Sequence, residues 1–356
     1  MSKQETRKTL SELGKFPLAD HLAAQFIPQN DTTFQGIGDD AAVGYYQEPL
    51  TVTAQQLMME GVDFDLTYFP LKFVGYKAAV GAMGRIMAMN AQPLQLLAVV
   101  GVSQRFYVDD LDNLFTGIRA ACGRYGVDLS SLEVKSSFTG LSVCLTAVGQ
   151  AQPGTLTRRS GARENDLICL SGNVGAAYMG LQLLEREKRV FTGSTEKDDM
   201  PKLDGYEYIL ERYLKPELPS ALLANLRQDD LLPTSMCLLD NGLAQGILSI
   251  CQASGTGAKL FLEKIPIARQ CFEFAKENEE KPVEGGQLID PIVAALNGGD
   301  DFEILFTLPL SQYQQLSKDY SIDVIGHICH AQDGCVLVTP QGQSLHIEAP
   351  GMKGNA

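Results

Sequence analysis

The stretch "YKAAVGAMGRIMAMNAQPLQLLAVVGV", residues 76–102, decides the fold. Its first half carries small and apolar residues at helical spacing. Pro93 then stops the helix, because proline disfavours helical backbone in the residue before it. "LQLLAVVGV" follows as a continuous apolar run of strand length. Helix then strand, both apolar, predicts an α/β layer. Gly81, Gly84 and Arg85 are out of place in such a helix, since each interior glycine costs about 1 kcal/mol relative to alanine.

Working outward, the same alternation fills the chain. The spacing predicts helices near 5–25, 72–89 and 108–125 and strands near 50–55, 94–102 and 140–149. The polar, Gly/Pro-bearing stretch "QAQPGTLTRRSGAREND" at 150–166 is the best candidate for a domain boundary, giving domains 1–150 and 151–356. Beyond it come "LICLSG", a helix from Val174, helices near 205–227, a strand near 235–239, a helix over 242–252, a strand near 258–262 and a helix near 267–280. Strands near 303–307, 322–328 and 334–338 finish the series. "TGSTEKDDMPKLDGYE" at 192–207 reads as an exposed loop. A length of 356 residues suits two domains.

Composition excludes some functions. The formal charge of −14 sets up a field that repels nucleic acid and anionic membranes. The apolar runs fall short of the roughly 20 residues that span a bilayer. The polar start "MSKQETRKTLSELGKF" lacks the apolar segment of a signal peptide, so a cytoplasmic protein is expected. The eight cysteines are scattered, mostly in apolar runs, as buried free thiols would be. Cys329, His330 and Cys335 form the one local cluster, short of the four closely spaced ligands of a structural zinc site.

Two stretches could carry chemistry. "GIGDDAAV" (36–43) sets Asp39 and Asp40 after two glycines, and "NGGDDFEILF" (297–306) sets Asp300 and Asp301 after two more. Adjacent carboxylates repel, and a divalent cation is the usual means of holding them together. Glycines let a phosphate approach the backbone. Either stretch alone reads first as a surface turn; two, each leading into a β-like run, point to a shared chemistry. "SGNVGAAYMG" (171–180) is a strand–turn–helix whose helix start could hold an anion, or could equally be close internal packing.

Together with "MEGVDFDLTYFPLKFVGYKA", "AMNAQP", "RSGARENDLICLSGNVGAAYMGLQLLEREK", "LKPE", "PTSM…NGL" and "ALNGGDDFEILF", these stretches resemble the thiamine-monophosphate kinase family of the aminoimidazole ribonucleotide synthetase superfamily. The likeness runs over nearly the whole chain. It implies an α/β (α+β) protein of two domains, the N-terminal one mediating dimerisation and carrying the nucleotide and metal side. It implies ATP and Mg²⁺ as cofactors, a phosphorylated small molecule as partner, a homodimer, and phosphoryl transfer from ATP to thiamine monophosphate. Such catalysis rests on positioning and charge neutralisation. Residue by residue, the resemblance implies Asp39, Glu133 and Asp301 as metal ligands. Gly38, Asp40, Glu133, Gly298 and Gly299 would lie against nucleotide, and Asp39, Asp301, Arg85 and Lys135 would serve the chemistry.

The chain also departs from the family. Gln56 stands where the family has an aspartate, and Asp63 where it has a histidine. Ala82, Met83, Gly84 and Arg85 replace Asn-Leu-Ser-Asp, and Ser131, Leu132, Glu133 and Val134 replace Gly-Gly-Asp-Thr. Leu238, Leu239, Asp240, Asn241 and Gly242 replace Asp-x-Ser-Asp-Gly, and Pro219 replaces an arginine. These exchanges add about +4 to the site, about the charge of two magnesium ions. Arg85, helped by Lys135, could therefore replace metal charge. The same exchanges also fit a protein whose activity is reduced or lost, or a catalytically silent paralogue that binds a ligand or partners an intact kinase.

Overall fold

The computed structural model describes residues 8–13, 15–37, 41–193, 203–280, 289–315 and 322–352. The chain divides into two compact units. One holds residues up to 87 and 91–154, the other residues 88–90 and those from 155 onward.

The first unit begins with α1 (Leu10–Leu13), α2 (Lys15–Ala23) and a small antiparallel pair, β1 (Thr33–Gln35) and β2 (Val43–Gly44). It is built on β3 (Leu50–Met59), α3 (Leu71–Met87), β4 (Gln92–Val102), α4 (Val108–Tyr125), β5 (Asp128–Ser136) and β6 (Ser142–Ala151). The strands form one sheet in the order β3-β6-β4-β5, with β4 and β5 parallel and the other pairs antiparallel. α3 is apolar almost all round and buried from Val74 to Gly84, which makes it the centre of the unit. α4 is amphipathic. Leu111, Leu114, Phe115, Ile118 and Cys122 form its buried stripe, and Gly126, at φ +65°, ends it.

The two helices cross in backbone contact. A Cβ on Gly75 would lie 2.1 Å from Leu114 O, and one on Gly117 would lie 1.7 Å from Lys72 O. Lys77 is buried in the same layer with its ammonium 5.5 Å from the centre of the Phe69 ring. The buried Asp128 carboxylate accepts from Gln29 N (2.6 Å), Asn30 N (3.0 Å) and Thr33 Oγ1 (2.7 Å), which ties the N-terminal segment to the start of β5. The sheet face away from α3 and α4 leaves Leu57, Met59 and Val99 exposed.

The second unit contains β7 (Leu167–Ser171), α5 (Ala176–Gly193), α6 (Glu207–Leu214), α7 (Ser220–Gln228), β8 (Ser235–Leu239), α8 (Leu243–Ser254), β9 (Gly257–Phe261), α9 (Arg269–Glu280), α10 (Pro291–Asn297), β10 (Glu303–Leu308), β11 (Ile322–Cys329), β12 (Cys335–Val338) and β13 (Ser344–His346). Its seven strands run β13-β12-β9-β11-β7-β10-β8, antiparallel except for β9 with β12. β8 and β10 are buried along their whole length, as strands covered on both faces should be. α8 packs into the main core with Leu170, Leu239, Leu260 and Leu305. α5, α6, α9 and α10 close a second core around Met179, Ile209 and Phe274. Residues 88–90 join this unit because Arg227 donates to Asn90 Oδ1 (2.9 Å) and Asn90 O (3.0 Å).

Three local differences from the sequence reading have physical causes. β5 was not expected, because "DLSSLEVKS" is half polar; it forms as an edge strand with only one neighbour. α10 was missed because seven residues give too few turns for a periodicity, although Asp290 caps it on Ile292 N at 2.7 Å. Much of the expected 192–207 loop lies outside the described residues, and α5 runs on to Gly193.

Candidate functional site

In the second unit, two of the stretches singled out by sequence meet. Antiparallel pairing of β10 with β7 sets Leu305 opposite Leu170. The turn after β7 (Ser171–Gly175) therefore lies beside the turn before β10 (Asn297–Phe302). Ile304 N donates to Ser171 Oγ at 2.8 Å, and Ser171 Oγ donates to Glu303 Oε2 at 2.6 Å.

Asp301 is fully buried. Its Oδ2 accepts from Gly175 N (2.8 Å) and its Oδ1 from Ala177 N (3.3 Å), so it caps the start of α5. Burial pushes its carboxyl up to about 7, against the pull of Arg212 and the two amides. Glu303 Oε1 pairs with Arg212 at 2.8 Å, both side chains nearly buried at 8% and 13% exposure. Burial raises the Glu303 carboxyl, opposed by Arg212 and Ser171. Burial works against the charge of Arg212, yet Glu303 and Asp301 hold its guanidinium above its ordinary value. The same guanidinium donates to Asn173 O and Asp301 O, each at 3.1 Å, and so clamps both turns.

The backbone of the second turn is strained. Gly299, Asp300 and Phe302 all have positive φ (+79°, +60° and +54°), rare for a bulky residue such as Phe302. Asp300 N and Phe302 N donate to Asp240 O (3.0 Å) and Leu239 O (2.9 Å), which docks the turn on the end of β8. Among the described residues nothing pairs with three buried polar atoms here: Asn173 Oδ1, Arg212 Nε and Asn297 Oδ1. Buried polar atoms nearly always find partners, so the two amide oxygens are placed to accept, and Arg212 Nε to donate, hydrogen bonds with a ligand.

The structure redistributes the residues expected to act together. Asp301, expected as a metal ligand and catalytic residue, lies out of solvent with both oxygens on backbone amides. The α5 start, expected either to hold an anion or to be close packing, holds this internal carboxylate. Gly298 and Gly299, expected to let a ligand approach, are needed for packing. A Cβ would lie 2.4 Å from Ala294 O and Tyr178 Cβ at Gly298, and 2.8 Å from Asp240 O at Gly299.

In the first unit, Arg85 is exposed on α3. Gln56 of β3 lies under the same helix, where a Cβ on Gly81 would be 3.1 Å from its amide. Glu133 and Lys135 pair with each other at 2.9 Å on β5, in register with Val99 and Gly101 on the sheet face away from α3. The expected partnership of Arg85 with Lys135 is therefore divided by the sheet. Gly38, Asp39 and Asp40 lie outside the described residues. Among the described residues, no three His, Cys, Asp or Glu side chains converge as a metal site, and this holds for the Cys329–His330–Cys335 cluster too. His330 there pairs with Glu164.

Sequence reasoning missed Glu303, Arg212, Ser171 and Asn173. Glu303 carried a signal, an acid inside the apolar run "FEILF". Arg212 carried none, since a cation in "EYILERYL" reads as the solvated face of an amphipathic helix.

Comparison with known proteins gives a consistent picture. Residues 38–151 match the family model described as AIR synthase related protein, N-terminal domain. The thiamine-monophosphate kinase of Aquifex aeolicus is 26% identical over 307 residues, covering 85% of this chain and 89% of its own. The crystal structure of thiamine-monophosphate kinase from Stenotrophomonas maltophilia K279a superposes with a TM-score of 0.72 at 24% identity, over 94% of this chain and 96% of that one. AaThiL complexed with AMPPCP and TMP superposes with a TM-score of 0.69 at 21% identity, over 99% of each chain. No helix among the described residues is long and apolar enough to cross a membrane.

Proposed function

The chain belongs to the thiamine-monophosphate kinase family of AIR synthase related proteins, and from that premise we propose that it binds ATP and thiamine monophosphate and moves the γ-phosphoryl group from one to the other. The observation that carries this reading is the extent of the likeness, 85% of this chain against 89% of the Aquifex aeolicus kinase. A fold shared with a relative complexed with AMPPCP and TMP supports it.

The chemistry asks for neutralised phosphate charge and a fixed donor geometry. In this reading Gly38, Asp39 and Asp40 form the first nucleotide contact. The clamped turns around Arg212 and Glu303 hold the second motif rigid. Arg85 supplies positive charge to phosphate through its planar fork. Of the acids expected to hold magnesium, Glu133 is paired with Lys135 and Asp301 with backbone amides, and Asp39 lies outside the described residues. The protein works in the cytoplasm as a homodimer, with the exposed apolar sheet face of Leu57, Met59 and Val99 supporting the pairing of two N-terminal units.

A silent ligand-binding subunit is the second reading. Gln56 beneath α3 and Arg85 upon it, both where the family uses aspartate, speak for it. A coupled assay for thiamine diphosphate, run beside thermal shifts with ATP and with thiamine monophosphate, separates the two. Turnover establishes the kinase. Raised melting temperatures without turnover establish the binding subunit, because a ligand of the folded state stabilises it. Neither response overturns both.

A further inference from the structure

A cavity far along α8 from the Asp240–Gly242 turn is used by neither reading. It has a volume of about 790 Å³, and Cys251, Cys335, Thr256, Asp333, His346 and Glu348 are among its lining residues. Cys251 comes from the last turns of α8 and Cys335 from the first position of β12. Both thiols line this one cavity, and each perturbs the ionisation of the other. Cys251 belongs to the main core and Cys335 packs against it, and a third thiol, Cys329, donates to Gly334 O at 3.8 Å beside the cavity wall. Eight scattered cysteines would not bring two thiols to one cavity wall by sequence proximity; these are joined only by the fold.

We propose that Cys335 and Cys251 form a thiol–disulfide exchange site in which Cys335 attacks a small disulfide admitted by this cavity and Cys251 resolves the product. The roles follow from position. Cys335 is half-buried at the cavity wall, whereas Cys251 is buried. A hydrogen bond donated by the Cys251 thiol favours the Cys335 thiolate, which is the nucleophilic form. That contact lowers the Cys335 thiol below its ordinary value, while the same contact and burial raise Cys251.

In the first step the Cys335 thiolate forms an S–S bond to one sulfur of the small disulfide and the other sulfur leaves as a thiolate. Cys251 then gives up its proton to solvent and attacks Cys335 Sγ, and the second small thiolate leaves. Two protein thiols are oxidised and one small disulfide is reduced to two thiols. Asp333 and Glu348 on the wall favour a cationic reagent, although Lys259 lies 3.7 Å from Asp333.

The test uses cystamine, a small cationic disulfide, with the full-length protein, followed by intact mass and peptide mapping without reductant. The expected result is a loss of about 2 Da, the two hydrogens of the thiols, with Cys251 and Cys335 linked in one peptide pair and restored by dithiothreitol. Cys251→Ser should instead stop at a mixed disulfide, a gain of one cysteamine on Cys335. Cys335→Ser should lose both products. Wild-type protein with both thiols unreacted, a link between other cysteines, or an adduct at Cys335 that never resolves would each overturn the proposal. Because the wild-type map alone decides, a variant that fails to fold does not rescue it.

Discussion

Asp301 and Gly175 stand 126 positions apart, yet the carboxylate of one accepts the backbone amide of the other at 2.8 Å. Ala177 N completes the contact. The start of α5, where peptide dipoles favour negative charge, is therefore already answered from within the chain. An external phosphate at this helix start would have to displace a buried acid. The strained NGGDD turn, the α5 cap and the Arg212–Glu303 pair thus form one rigid construction.

The ionisation of Asp301 gives the first prediction. Its carboxyl rises from the ordinary 3.8 to about 7 because burial disfavours the charge. A folded-state value above the unfolded one means that the native protein binds the extra proton. The stability it confers is full below the unfolded value and is lost as pH rises through about 7. Urea unfolding at several pH values between about 4 and 8 should show wild-type stability falling across this window by more than that of Asp301→Asn. Parallel profiles would show that the buried carboxyl is not protonated in the folded state.

The Arg212–Glu303 pair should behave as a buried ion pair, costly to break and cheap to replace. Arg212→Ala leaves Glu303 uncompensated among apolar residues and should destabilise the protein by about 3–5 kcal/mol. The double change Arg212→Met with Glu303→Leu should recover a large part of that loss. Denaturant midpoints of the three chains measure it. A double variant no better than the single one would mean that the guanidinium's bonds to Asn173 O and Asp301 O matter more than its charge partner.

The layer around α3 was legible in sequence because its apolar periodicity is long: a helix over 72–89 was expected, Leu71–Met87 is found, and Pro93 falls inside β4 rather than at the helix end. α4 was equally plain, because a buried stripe and a terminal glycine mark both its face and its end. β5 was not, because an edge strand need not be apolar on its open face. In the site, the motifs were visible but not their partners. "NGGDD" and "SGNVG" each looked like a ligand loop, while their contact with one another depends on the β10–β7 pairing that no local pattern records. Arg212 could not be found at all, since a helical cation gives the same letter whether it faces water or a buried glutamate.

Arg85 is exposed on α3 in a chain of net charge −14, and in the proposed function it meets phosphate. A charge-assisted hydrogen bond contributes about 1.5–3 kcal/mol. Arg85→Ala should therefore weaken ATP binding by about tenfold or more. Arg85→Lys should recover only part of the affinity, because a lysine cannot grip two oxygens in a fixed fork. Calorimetric titration with ATP reads both. Unchanged affinity in Arg85→Ala would remove this residue from the nucleotide contact.

The glycines of the first unit separate packing from propensity, and one helix holds the needed control. Gly117 and Gly123 both lie in α4. At Gly117 a Cβ would sit 1.7 Å from Lys72 O and 2.8 Å from Tyr76 N, so alanine would push α3 and α4 apart. Overpacking of this kind costs about 1–3 kcal/mol or more, and a backbone neighbour cannot swing aside as a side chain does. At Gly123 a Cβ would meet nothing within 4 Å, so alanine there should gain about 0.5–1 kcal/mol from helix propensity. Gly75→Ala should resemble Gly117→Ala, because its Cβ would strike Leu114 O across the same crossing. Combining Gly75→Ala with Gly117→Ala should cost less than the sum of the two, since one separation of the helices relieves both clashes. Thermal and urea unfolding of the four variants measure the set, and strict additivity of the pair would show that the two contacts are not one crossing.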